Sequence, residues 1–329
     1  MQEFFVSLNQ MLVLFLFMAL GFMLNRKKLL PENAAGVLAK LETNVLVPCL
    51  IFHTFNTYCT VQNFTQKWIY ILYGAIVMAV SLVIGILLTG LFTKDAYRKK
   101  IYNYSFAVAN FSFMGNAVVL GIFGTEVLFD YMMLTLPLNL YVYSYGVASL
   151  APDCSGKRFS IKALINPICI AMLVGIVCGL TEVFLHLEAF TAHVGLADAV
   201  GIEGFSVVGF LKTAISSAGA CMSPLAMILT GFVIGGYNFK KLASDKKIYF
   251  VSVLRLVVIP AAFIGAFMLL DTDPAILRVT LCATAMPLGL NTVVIPAAYG
   301  GDTTDGASMA LISHLMSVVT IPLMFMFFL

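Results

Sequence analysis

Two asparagines in apolar surroundings are the residues of this sequence best suited to bind a ligand. Asn116 lies in the run 114–121 and Asn291 in the run 289–296. A neutral amide offers two donors and an acceptor without the free-energy cost of a buried charge, which suits reversible binding. Each asparagine could equally satisfy backbone groups freed by a helix break, and the two roles are compatible.

The segment that contains Asn291 is apolar yet rich in residues that interrupt helices. Residues 285–302 contain two prolines, Pro287 and Pro296, together with three glycines. Proline removes a backbone donor and clashes with the preceding turn, so the sequence predicts a helix that is broken near its middle. Lipid cannot satisfy the freed backbone groups, and such a segment must therefore line a cavity or lie buried against protein.

A second copy of this pattern occurs earlier in the chain. Asn116 precedes Asn291 by 175 residues, and each is followed by Val-Val at the same spacing. Pro48 and Pro224 are 176 residues apart. Two features that repeat at nearly the same offset indicate an internal repeat rather than a chance match of apolar segments.

Composition is typical of a membrane protein with several spanning helices. Of the 329 residues, 61% are hydrophobic and 11% are charged, whereas soluble proteins carry about 25% charge. A spanning helix needs about 20 mostly apolar residues. By that measure the sequence predicts ten spans, at residues 4–24, 35–55, 68–92, 102–123, 126–149, 166–186, 206–234, 248–270, 275–299 and 305–328.

The basic residues alternate with the predicted spans. Fourteen of them lie in the gaps after spans 1, 3, 5 and 7, whereas the opposite gaps contain only Lys67. Basic residues stay on the cytoplasmic side during insertion, so we expect these gaps to face the cytoplasm and both termini to lie outside a plasma (inner) membrane. The fourteen are Arg26, Lys27, Lys28, Lys94, Arg98, Lys99, Lys100, Lys157, Arg158, Lys162, Lys240, Lys241, Lys246 and Lys247.

Ten spans and a repeat predict two halves of five helices. Residues 1–149 would form the first repeat, 150–165 a cytoplasmic linker and 166–329 the second repeat. Because five is odd, the two halves must cross the membrane in opposite orientations. Inverted repeats with a broken helix at corresponding positions indicate a secondary transporter whose site lies near the middle of the bilayer.

Several short motifs make the chain similar to the auxin efflux carrier family of membrane transporters. Together with the ten-span layout and the basic gaps, the resemblance covers essentially the whole chain. The motifs are Pro48 with residues 49–53, Asn-Phe-Ser-Phe-Met-Gly-Asn at 110–116, Pro224 leading to Gly231, and Met286-Pro287 with residues 291–296.

The resemblance implies both a fold and a function class. Spans 4 and 9 would be broken and would cross, spans 1, 2, 6 and 7 would form a scaffold, and spans 3–5 and 8–10 a transport domain. Members carry organic anions such as auxin, malate or malonate, and the architecture recurs in bile-acid and sodium symporters. The sequence departs from the family at Gly121, where proline is usual, so we expect span 4 to be broken less sharply than span 9.

We expect the substrate site at the crossing of spans 4 and 9. Asn116 and Asn291 would contact a carboxylate beside Gly115, and two half-helix N-termini would add favourable dipole ends. Asn110 lies one or two turns away and is a weaker candidate. The residues expected to keep the helices open are Gly121, Pro287 and Pro296.

Charged residues within the spans have competing interpretations. Arg255 lies about 10 Å deep in span 8, where it could attract an anion or extend toward the cytoplasm. Lys40 and Glu42 are more consistent with positions that flank the interface. His53 and His314 are more consistent with packing than with a proton relay. Helix dipoles explain the acidic residues at the starts of spans 5 and 10. The coupling ion, H+ or Na+, stays open.

The sequence has no phosphate loop, HExxH motif or nucleophile elbow, so we expect no enzyme activity and no bound cofactor or metal. The predicted function is a secondary carrier of small organic anions that works by alternating access. A sodium-coupled symporter of the bile-acid type and a ligand-sensing receptor module are the alternatives. The expected partners are the organic anion, membrane lipid and a second copy bound through the scaffold helices, with no nucleic acid.

Overall fold

The computed structural model of the chain describes residues 2–31, 33–150, 165–183, 186, 207–238, 242, 245–298 and 301–329. Regular structure within these ranges is helical, apart from one isolated antiparallel bridge between Ala109 and Leu288. The helices are α1 Gln2–Arg26, α2 Ala34–Tyr58, α3 Val61–Lys67, α4 Ile69–Phe92, α5 Ala96–Ala107, α6 Phe111–Gly146 with a last turn Val147–Leu150, α7 Pro167–Thr181, α8 Val207–Ala220, α9 Met222–Gly235, α10 Lys246–Leu269, α11 Pro274–Thr284, α12 Asn291–Ala298 and α13 Thr304–Phe328.

Seven helical segments are long and apolar enough to cross a membrane. They are α1, α2, α4, α6, α10, α13 and the segment formed by α8 and α9, whereas α7 and α11 are apolar but shorter. The prediction of an all-α protein with several membrane-spanning helices is confirmed for the described part of the chain. The end of predicted span 6 and most of the predicted linker lie outside the described residues.

Two helical spans are interrupted in their interior. After α5 the backbone becomes extended at Val108, with φ −122° and ψ 116°, and helix resumes at Phe111. After α11 the chain is irregular until helix resumes at Asn291. The first interruption covers residues 108–110 and the second residues 285–290, so the second is longer and includes Pro287, as the sequence predicts.

Gly121 and Pro296 do not mark the interruptions, which corrects the sequence-based prediction. Gly121 lies inside α6, where the absence of a side chain makes room for the amide of Gln10 in α1. Pro296 lies inside α12, which continues past it to Ala298. The residue of α6 that leaves helical geometry is Gly124, with φ 81° and ψ −174°, and it separates predicted spans 4 and 5.

Glycines allow the long helices to pack closely. A side chain on Gly231 of α9 would overlap the backbone carbonyl of Met18 in α1, and one on Gly21 would overlap that of Ile228. Small residues are the usual means by which membrane helices approach each other. By the same kind of contact α2 packs on α7 and α8, and α4 packs on α5 and α6.

Hydrogen bonds and an ion pair connect several helix ends at one end of the molecule. Arg26 Nη2 donates to the Tyr237 carbonyl at 2.6 Å, and the hydroxyls of Tyr237 and Thr303 are 3.0 Å apart. Arg98 Nε lies 2.8 Å from an Asp305 oxygen. Arg26 ends α1, Tyr237 follows α9 and Arg98 lies in the first turn of α5, whereas Thr303 and Asp305 flank the start of α13. This placement agrees with the alternation of the basic gaps. The basic residues outside the described ranges are Lys157, Arg158, Lys162, Lys240 and Lys241.

The close packing of α1 on α9 can be tested with two matched glycine substitutions. Gly231→Ala should destabilise the protein by about 1–3 kcal/mol, because the added methyl group overpacks the contact with Met18. Gly265→Ala in α10 meets open space and should be neutral or stabilising by up to about 1 kcal/mol. Melting temperatures of the detergent-purified protein measure both effects, and equal values for the two variants would contradict this packing.

Candidate functional site

The two interruptions contact each other, and we call this contact the crossing. Ala109 and Leu288 form the antiparallel bridge, and the backbone amide of Asn110 donates to the Pro287 carbonyl at 2.7 Å. Ala109 and Leu288 are both buried. Backbone groups that leave a helix within a membrane must find another partner. Each broken segment therefore supplies part of the hydrogen bonding that the other one has lost.

Side chains complete the hydrogen bonding of the broken segments. The Leu288 amide donates to Ser313 Oγ at 3.0 Å, and the Tyr131 hydroxyl donates to the Phe111 carbonyl at 2.7 Å. Ser313 and Tyr131 are both buried. They lie on α13 and α6, so uninterrupted stretches of helix hold the crossing in place.

A cavity of about 80 Å³ lies at the crossing. Its volume is small beside the roughly 300–1,000 Å³ of pockets for drug-sized ligands. Residues of both interruptions and of the helices that follow them line it, together with residues of α2 and α6. The lining residues are Thr43, Ala109, Asn110, Phe111, Ser112, Phe113, Val142, Tyr143, Gly289, Leu290 and Asn291.

Two helix N-termini face this cavity. α6 begins at Phe111 and α12 at Asn291, and both residues line it. The first turn of a helix leaves backbone N–H groups without intrahelical partners and carries a partial positive charge. The electrostatics of the cavity therefore favour an anion over a cation.

Asn110 is fixed at the crossing by His314. The Nδ1 atom of His314 lies 2.7 Å from the Ala310 carbonyl, and because a carbonyl only accepts, Nδ1 must carry the proton. In the neutral ring Nε2 is then an acceptor, and it lies 3.4 Å from Asn110 Nδ2. The Asn110 Oδ1 accepts from the Met114 amide at 3.4 Å. His314 thus sets which way the amide of Asn110 points.

Asn291 is held in a comparable way on the other side. Its Nδ2 atom donates to the hydroxyl of Tyr104 at 2.8 Å, and Tyr104 is buried in α5. A primary amide has two N–H donors. One donor of Asn110 and one of Asn291 are used within the protein, which leaves each amide one donor for a ligand.

Comparison with known protein families identifies the class of the molecule. The model of a family described as membrane transport protein, the auxin efflux carrier family, matches residues 6–153 and 154–325. The chain belongs to this family. Its members are transporters and not enzymes, so the chain is an integral membrane transporter and the predicted absence of enzyme activity is confirmed. A comparison with curated proteins gives no match.

Asn116, a leading candidate from the sequence, does not line the cavity of the transporter. It is buried, begins the regular part of α6, and makes no side-chain hydrogen bond to the described residues. Gly115 is a close-contact position, because a side chain there would overlap the Tyr131 hydroxyl. The first interruption ends six residues before Asn116, whereas the second ends directly before Asn291. Asn110 therefore faces Asn291 across the crossing, although the sequence ranked Asn110 below Asn116.

Arg255 supports the second interruption and does not extend toward either membrane surface. It is buried, and Nη1 donates to the Thr284 carbonyl at 2.6 Å. Thr284 is the last residue of α11, so a cation meets the negative end of a helix dipole. Arg255 does not line the cavity.

Four π-helical turns occur in the described residues, and all of them serve the crossing. Turns of this kind are frequent at functional sites, because they interrupt the regular pattern of helical hydrogen bonds. Three supply lining residues of the cavity and the fourth carries Arg255. The turns are Glu42–Leu46, Phe111–Gly115, Val142–Gly146 and Leu254–Val258.

A larger cavity, of about 410 Å³, lies between α2, α7 and α8. Its lining includes His53, Asn56, Glu182 and Lys212. None of its lining residues comes from an interrupted segment. We regard the smaller cavity as the candidate site, because it lies between the two interruptions and is lined by the first residues of two helices.

Glu42 is a functional candidate that the sequence reasoning missed. Its place at the membrane interface stays a prediction, but the residue is fully buried within the protein, and neither carboxyl oxygen has a hydrogen-bond partner among the described residues. It opens a π-helical turn, and this turn packs against α7, α8 and α9. Sequence position near the start of a span does not show whether a residue is buried, since burial depends on how that span packs.

The capping role of Arg255 is testable by substitution. Arg255→Met removes a hydrogen bond between a cation and a buried carbonyl, which should lower the free energy of unfolding by about 1.5–3 kcal/mol. Arg255→Lys keeps the charge and should lose less. Melting temperatures of the purified transporter measure the effect. If Arg255 were instead an anion ligand, the Met variant would keep its melting temperature and lose ligand binding.

Proposed function

We propose that the chain is a secondary carrier of small organic anions and binds a carboxylate at the crossing of the two broken helices. The observation that carries this proposal is the convergence of two helix N-termini, with Asn110 and Asn291, on one cavity. Membership of a membrane transport family supports the carrier function but leaves the substrate open.

The chemistry of the cavity suits a carboxylate. The free donor of each asparagine and the unpaired amides of two first helical turns offer hydrogen bonds to oxygen, and the dipoles favour negative charge. No basic side chain of the described residues lines the cavity. An anion bound only by neutral donors is held less tightly than one in an ion pair, which suits a site that must release its ligand.

Movement of one helix group against the other would give alternating access. The ten-span inverted repeat, with halves 1–149 and 166–329, is part of this proposal and is supported by interruptions at comparable positions in both halves. The packing of α1 on α9 and of α2 on α7 and α8 supports a scaffold, and that of α4 on α5 and α6 and of α10 on α11 supports a transport domain. The charge pattern supports cytoplasmic basic gaps in a plasma (inner) membrane.

Asn291→Ala tests the carboxylate site, with Asn56→Ala as its matched control. Losing one hydrogen bond to a charged ligand removes about 1.5–3 kcal/mol, which corresponds to a roughly 10–100-fold weaker affinity. Asn56 lines the larger cavity, so its variant should bind normally. Thermal-shift titration with mono-, di- and aromatic carboxylates measures the affinity of both variants. Proteoliposome uptake of the acids that bind then tests their transport. The opposite ranking would move the site to the larger cavity.

Gly289→Ala tests whether the ligand occupies the cavity itself. The nearest atom to the added methyl group is the Ala109 carbonyl oxygen at 3.7 Å, so the fold accommodates the change. The methyl group reduces the space available to a ligand. We expect an unchanged melting temperature and a several-fold weaker affinity for any carboxylate that binds the wild type, with larger acids affected more. Unchanged binding of all acids would contradict occupancy of this cavity.

The two alternative functions give different results in the same assays. A sodium-coupled symporter of the bile-acid type would bind its ligand more tightly when sodium replaces potassium. A ligand-sensing module would bind carboxylates and show no flux into proteoliposomes. A carrier of the proposed kind binds without sodium and exchanges labelled for unlabelled carboxylate across the membrane.

A further inference from the structure

Glu42 is an acidic residue whose environment does not fit a carboxylate ion. Its exposed fraction is 0%, and both Oε atoms lack a hydrogen-bond partner within the described chain. Burying an ionised carboxylate without a counter-charge or a donor costs far more free energy than burying the neutral acid. The group therefore holds a proton in this conformation.

The titratable residues on the helices packed around Glu42 do not compensate a negative charge on it. The elements that contact its turn are the rest of α2, together with α7, α8 and α9, and α6 borders the cavity beside it. None of the titratable side chains on these elements is a hydrogen-bond partner of Glu42. They are Lys40, Cys49, His53 and Tyr58 of α2, Cys169 and Cys178 of α7, Lys212 of α8, Cys221 before α9, and Glu126, Asp130, Tyr131, Tyr141, Tyr143 and Tyr145 of α6.

Glu42 adjoins the candidate substrate cavity. The next residue, Thr43, lines it, and both belong to the π-helical turn Glu42–Leu46. Neighbouring Cα atoms are about 3.8 Å apart. A negative charge on Glu42 would repel an anion in the cavity, whereas the neutral acid would not. Protonation and anion binding therefore favour each other.

We propose that Glu42 is the proton-binding site of the carrier, and that it couples the movement of one proton to the movement of the organic anion. The proposal rests on the carrier function proposed above. Glu42 keeps its proton while the anion is bound, releases it to water where the carrier exposes the residue, and takes up another proton before the residue is buried again. For an anion of charge −1, cotransport with this proton moves no net charge.

Infrared spectroscopy of the full-length purified carrier tests the proton site without a ligand. The wild type should show a carboxylic acid C=O band at neutral pH that Glu42→Gln removes and Glu126→Gln, a change at an exposed acid, keeps. Glu42→Asp should shift the band, and it serves as the second variant if the Gln variant fails to fold. A spectrum that neither Glu42 variant changes would overturn the proposal.

Flux into proteoliposomes tests the coupling, with labelled malonate and succinate as probes, because neutral acetic acid would cross the lipid without a carrier. An alkaline interior should raise the steady-state accumulation of the probe by the wild type, by up to about tenfold per pH unit for one linked proton. Glu42→Gln, which mimics the protonated acid, should still exchange labelled for unlabelled probe but no longer respond to the gradient. An unchanged pH response in this variant would overturn the coupling. If the wild type moves neither probe, the failure lies with the carrier proposal for these acids, and the infrared result decides the proton site separately.

Discussion

The structure depends on one constraint, and its clearest sign is the hydrogen bond from the Asn110 backbone amide to the Pro287 carbonyl. A chain that leaves helical geometry inside a membrane has no water to satisfy its amides and carbonyls. One broken helix alone would therefore be unstable there. Two broken helices that cross can satisfy part of each other's backbone, and the Ala109–Leu288 bridge is the outcome.

Uninterrupted parts of the structure hold the remaining backbone groups of the crossing. Ser313 binds an amide of the second interruption, Tyr131 a carbonyl beside the first, and Arg255 the last carbonyl of α11. His314 fixes the orientation of the Asn110 amide. Because these backbone groups already have partners within the protein, the N–H donors of the first helical turns are the ones left for a ligand in the cavity.

The buried ionisable groups of the carrier differ in how they are compensated. Arg255 meets a helix C-terminus, and Asp130 pairs with Lys67 at 2.6 Å. Glu42 has no such partner in the part of the chain that the structure describes. A compensated charge stabilises one arrangement of helices, whereas an uncompensated acid changes its protonation when that arrangement changes. The contrast separates groups that hold the fold from a group that responds to movement of the fold.

Sequence alone determined the membrane class, most of the long helices, the family and the break around Pro287. These follow from local properties: the length of apolar runs, the placement of basic residues, and the missing donor of proline. The sequence also pointed to an asparagine pair at the crossing, but it chose Asn116 where the structure has Asn110.

Tertiary structure decided where the first helix breaks and which polar residues are buried. Residues 108–110 contain no proline, and their interruption is matched by backbone contact with the second broken segment. Residue type alone therefore could not show that the helix breaks at 108–110 and not at Gly121. The burial of Glu42 and the cap made by Arg255 depend on how α2 and α10 are rotated against their neighbours. That rotation is set by packing across the whole molecule, and no short stretch of sequence encodes it.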